Sequence, residues 1–168
     1  MNVVTVGGAV LGLCLLGYRL TLWWPGLKGL KVAHVMQLLP FVYAFAYGVL
    51  GILCVGGIIG AAFDFVLWGS NWLGDAAFVV GVGGPMGHEV TVPVTTPLTV
   101  GGCAMFLVCT AVFAALMKKK KQLRSDLKLG AWAGCTLGMT KLVALVAAPA
   151  LASAANLAGA WISTQVIT

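Results

Sequence analysis

The sequence predicts an all-α membrane protein: four transmembrane helices with a short extracytoplasmic β-hairpin loop between spans 2 and 3, forming a single integral membrane domain over residues 1–168. Three observations lead to this fold class. Hydrophobic residues make up 61% of the chain and charged ones only 8%, against about a quarter charged in soluble domains. Uncharged runs reach the roughly 20 residues that a helix needs to cross a bilayer. Lys and Arg gather in a few short segments, the asymmetry that orients multi-pass proteins.

Span 1 is expected over about residues 3–24, closed by Trp23-Trp24-Pro25-Gly26, an interfacial aromatic pair followed by a breaker. No positive charge precedes the apolar run, so it reads as a retained helix rather than a secretory signal. Arg19, near its far end, is expected to snorkel toward the inner surface. Residues 25–37 carry Lys28, Lys31 and His34 at helical spacing and read as a short interfacial helix or turn. Span 2, about 41–63, contains no charge and ends at Asp64.

The outer loop, 64–97, is Gly-rich with β-branched runs. Val79-Val80-Gly81-Val82 and Val90-Thr91-Val92-Pro93-Val94 flank Gly83-Gly84-Pro85-Met86-Gly87 and predict the hairpin. Span 3, about 98–117, stops at Lys118. The last apolar region, 129–162, is too long for one crossing, at about 1.5 Å of rise per residue. Either the span covers about 129–150 and buries Lys141, or it covers 142–162 and leaves residues 124–140 along the inner surface. The second is preferred, because a Lys at the bilayer centre costs a few kcal/mol and one at the boundary does not.

Residues 118–128 hold six basic side chains, Lys118, Lys119, Lys120, Lys121, Arg124 and Lys128. They are expected to form a cytoplasmic loop that sets topology and meets anionic lipid. Both termini then fall outside, in a plasma or inner membrane, and the outer loop holds Asp64, Asp75 and Glu89 with no Lys or Arg. The basic segment contains no aromatic residue for base stacking, so direct nucleic-acid binding is not expected.

Small residues recur at helix-packing spacing: Gly8 and Gly12, Gly56 and Gly60, Gly130, Gly134 and Gly138, then Ala144, Ala148 and Ala152. Such faces let helices approach closely, within one bundle or between copies in a homo-oligomer or with other membrane subunits. His88-Glu89 is the only His-acid pair, a possible outer-loop contact without the further ligands of a metal site. Cys14, Cys54, Cys103, Cys109 and Cys135 lie in apolar runs without metal or disulfide spacing. No hydrolase, zinc or nucleotide motif is present, so no enzyme and no cofactor are expected.

The last 70 residues, an apolar Gly/Ala-rich helical pair around a basic turn, resemble in general architecture the conjugative pilin-type and spread-type membrane subunits of DNA-transfer and secretion systems. The resemblance implies a structural subunit and assigns no residue a role. A pore-forming, holin-like protein and a small carrier are the alternatives. The carrier is disfavoured by the lack of carboxylates inside the expected spans.

Overall fold

A computed structural model of the chain describes residues 3–24, 32–54, 56–90, 97–119 and 121–166. Six α-helices follow in order: α1 (Val6–Trp23), α2 (Val32–Leu53), α3 (Gly57–Val82), α4 (Val100–Met117), α5 (Lys121–Leu137) and α6 (Ala148–Val166). A π-helical turn, Val143–Ala147, leads into α6. Five stretches, α1, Met36–Leu53, α3, α4 and Val143–Ile162, are long and apolar enough to cross a membrane. The chain is an integral membrane protein, with one more such helix than the sequence predicts.

The additional helix comes from the expected second span, which is not one helix. α2 starts earlier, carries Pro40 inside and stops at Leu53. Gly56 and Gly57 then adopt φ of 96° and 73°, a region open to glycine at little cost. Two adjacent glycines thus redirect an apolar run that no charge interrupts. α3 continues through Asp64 and Asp75 to Val82, so most of the expected outer loop is helical and both acids lie inside it.

The expected β-hairpin is absent from the described residues. Val79 to Val82 form the last turn of α3, which Gly83 ends with φ 70°, its N–H bonded to Val79 O at 3.0 Å while Gly84 N–H reaches Phe78 O at 3.4 Å. This is a glycine C-cap that satisfies the last free carbonyls. Thr91 to Val94 lie outside the described residues. Residues 88–90 do pair, but with the start of the chain: Val6 N–H donates to His88 O and Val90 N–H to Val4 O, both at 2.8 Å, around an antiparallel bridge between Thr5 and Glu89. β-Branched side chains favour strands only in a suitable setting, and a helix satisfies its own backbone in apolar surroundings.

The largest interface joins α2 and α5. A methyl group at Gly130 would lie 2.5 Å from Phe41 O, one at Gly134 would strike Phe45 O, and one at Gly138 would lie 2.5 Å from the Ile52 side chain. Contacts advance together along both helices, so α2 and α5 run parallel, backbone on backbone. Residues 124–140, expected along the inner surface, therefore form α5 with its second half enclosed: Ala133, Cys135 and Thr136 are fully buried. The chain then breaks at Gly138–Thr140 and leaves Lys141 exposed at the head of the next helix, at the far end of the seam from Asp126.

Pro149 follows the π turn. A proline has no N–H to give and its ring crowds the carbonyl four residues back; widening the preceding turn, with Ala148 N–H bonded to Val143 O, accommodates it. At the centre, the Tyr47 ring stacks on Phe106 at 5.1 Å and Phe113 at 4.6 Å and meets Phe63 edge-on at 5.5 Å. Its hydroxyl donates to Thr110 Oγ1 at 3.2 Å. One ring thereby joins α2, α3 and α4.

The seam makes a sharp prediction. Gly134→Leu forces α5 off α2 and is expected to destabilise the detergent-solubilised monomer by about 3 kcal/mol. Gly69→Ala, on α3 with open space around it, is expected to be neutral or to stabilise by up to about 1 kcal/mol. Thermal unfolding of the two variants side by side checks both.

Candidate functional site

Two constructions stand out from the bundle, a repeated clasp and a basic end. The first begins with Thr5-Val6-Gly7-Gly8, which recurs as Thr99-Val100-Gly101-Gly102. Each threonine is the N-cap of its helix, accepting from the glycine N–H three residues on at 3.1 and 3.2 Å. Thr5 N–H and hydroxyl donate to Asn71 Oδ1, and Thr99 N–H and hydroxyl donate to Asn156 Oδ1. The two amides donate in turn to Val3 O and Pro97 O.

The glycines repeat as well. Gly7 meets Gly74 backbone to backbone, and Gly101 meets Gly159 in the same way. Asn-x-x-Gly at 71–74 thus does for α1 and α3 what Asn-x-x-Gly at 156–159 does for α4 and α6. α1 and α4 each have 18 residues. The chain is two three-helix halves, α1–α3 and α4–α6, and their equivalent middle helices lie side by side and parallel. The halves are therefore related by rotation about an axis along those helices, a parallel repeat rather than an inverted one.

The halves differ in charge. Asp75, expected in the outer loop, is buried on α3 with 7% exposure beside Gly7; the equivalent position on α6 is Ala160. At the other end of α1, Arg19 does not snorkel. Its guanidinium is buried and donates to Asp126 Oδ2 at 2.9 Å and to Gln37 O at 3.3 Å, with the paired side chains 10% and 14% exposed. Burial pushes the Asp126 carboxyl up, and Arg19 pulls it back. The end of α1 and the starts of α2 and α5 are pinned together by this pair.

The basic residues lie in α5, which carries Asp126, and in the turn before it. Lys118, Lys119, Lys121 and Lys128 are exposed, and Lys120 lies outside the described residues. Arg124 Nε donates to Met117 O at 2.9 Å, satisfying a carbonyl at the end of α4. Between α3, α4 and α5 opens an apolar groove of about 860 Å³, with Ser125 and Lys128 at the end near the α4–α5 turn. Its wall is fixed by the Trp132 indole, which donates to Ser70 Oγ, itself fully buried and bonded to Val66 O at 2.6 Å.

The small residues singled out in the sequence all lie within this one chain's packing or turns. Gly8 faces Asn71, Gly12 faces Thr136 and Leu137, Gly60 faces Cys54 O, and Gly56 serves the α2–α3 turn. Ala144, Ala148 and Ala152 are buried. His88 and Glu89 are exposed and joined to the N-terminal segment through their backbone. Among the described residues no three His, Cys, Asp or Glu side chains converge as metal ligands, and all five cysteines are free.

Sequence reasoning missed the clasp and the Arg19–Asp126 pair. The signal for the first was present in the two Thr-Val-Gly-Gly segments. The second had none, because Asp126 sits within a basic run far from Arg19. Asp126→Ala leaves a buried cation without its partner and is expected to lower stability by about 3 kcal/mol. Arg19→Met with Asp126→Leu is expected to restore most of it; a double-mutant cycle by thermal unfolding measures the coupling. No family model, curated protein or solved structure matches the chain.

Proposed function

We propose that the protein is a non-enzymatic membrane subunit that joins a larger assembly, through self-association or through other membrane proteins, in an apparatus for DNA transfer or secretion. The observation that carries this reading is the division of its chemistry. Gly-lined faces close the bundle on itself along the α2–α5 seam, and the concentrated charge lies at one end, around the α4–α5 turn. A closed seam with a charged end suits docking better than catalysis.

In the proposed placement the basic end faces the cytoplasm of a plasma or inner membrane and both termini are outside, so that α3, which leads to residues 88–90 paired with residues 4–6, returns to the outer side instead of crossing. Pairing of residues 4–6 with 88–90, and of Gly159 with Gly101 at the start of α4, supports a common side for the N-terminus, the residual outer loop and the end of α6. Convergence of Arg19, Gln37 and Asp126 supports a common side for the two basic segments.

A carrier is the second reading. The parallel repeat is an architecture that carriers use, and buried Asp75 now places a carboxylate within an apolar helix, which removes the sequence argument against it. A pore-forming role for a single chain is disfavoured by the backbone contact between α2 and α5.

Affinity capture of the intact protein from mild detergent tests the first reading. Stoichiometric recovery of further membrane subunits, or of a defined homo-oligomer, is expected; a monomer without companions, active in solute uptake into vesicles, selects the carrier. For the placement, Met86→Cys and Gln122→Cys in a cysteine-free background are expected to react with an impermeant maleimide from opposite sides. Outside labelling of position 122 overturns it.

A further inference from the structure

We infer that the groove between α3, α4 and α5 is a binding site for an anionic phospholipid. The inference rests on the proposed placement of the basic end and names the ligand of that end. The groove's volume, about 860 Å³, falls within the roughly 300–1,000 Å³ of small-ligand sites. Phe65, Trp72, Phe113 and Trp132 line it with aromatic surface, so the body of the site suits an acyl chain. The hydrogen bonds from Trp132 to Ser70 and from Ser70 to Val66 hold one wall in place before any lipid arrives.

Charge selects the headgroup. Asp126 is the only acid in α5, and it is engaged by Arg19. Arg124 is turned back onto Met117 O. Lys128 is left exposed at the groove's end, with Ser125 one turn before it. An ammonium and a hydroxyl above an aromatic trough match a phosphate whose acyl chain runs down the trough, while a choline headgroup would bring a second cation to Lys128.

The groove holds its own reporter in Trp132. The full-length protein is reconstituted in phosphatidylcholine vesicles with increasing fractions of phosphatidylglycerol or phosphatidylcholine brominated on the acyl chain, and the quenching lost in Trp132→Phe is followed. Brominated phosphatidylglycerol is expected to quench at about fivefold lower mole fraction, the effect of about one basic side chain. Lys128→Gln is expected to abolish that preference and Lys128→Arg to retain it. Lys118→Gln, outside the groove, should leave it intact. Gly69→Leu, which extends from an open position on the groove wall, is expected to weaken quenching by both lipids.

Equal quenching by the two lipids in the unaltered protein overturns the proposal. So does a loss in Lys118→Gln as large as in Lys128→Gln, which would mean that charge acts diffusely over the basic segment. The maleimide labelling reports separately on the placement, so failure of the lipid preference with sidedness intact refutes the lipid site alone.

Discussion

The contact between the backbones of α2 and α5 is the constraint on which the rest depends. In lipid there is no hydrophobic drive to hold helices together, and close approach with the dispersion it brings must do the work. Gly48, Gly130 and Gly134 lack the side chains that would hold the two backbones apart. α5 has too many polar residues in its first half to qualify as a membrane-crossing helix. Its second half is nevertheless among the most enclosed parts of the chain. Packing, rather than the apolarity of its own surface, brings it into the bundle, and α1, α3 and α4 are arranged around the pair.

The Arg19–Asp126 bridge fixes where that seam begins. A buried ion pair contributes little net stability, because both charges give up water. It does determine register: sliding α5 by one turn along α1 would bury two unpaired charges. The bridge also changes the basic segment from a uniform run into differentiated residues. Asp126 is engaged, Arg124 caps α4, and Lys128 remains exposed beside the groove. Composition presents six equivalent cations; the fold gives Arg124 and Lys128 different neighbours.

The apolar helices were legible because lipid imposes a length and a polarity that a sequence records directly. The division of 41–63 was not, since Gly56 and Gly57 look like any pair in a chain with 23 glycines until their φ values are known. The hairpin failed for a related reason. Val79 to Val82 have the residues of a strand, but they follow directly on a helix already in progress, and nothing before Gly83 stops it. The clasp was written in the sequence as a repeated tetrapeptide, whereas its asparagine partners lie 66 and 57 positions away, beyond any local pattern.

The repeated clasp also bears on how neighbours perceive the molecule. Two halves related by rotation about an axis along α2 and α5 would, if identical, present the same profile to left and right. Among the described residues the lysine cluster and the groove beside it lie around the α4–α5 turn, and buried Asp75 on α3 has Ala160 as its counterpart on α6. This breaks the equivalence and gives the protein a heading in the plane of the bilayer. Under the proposed assembly role, a duplicated scaffold whose halves differ in this way would add subunits in a chosen direction, which a symmetric bundle of the same size cannot do.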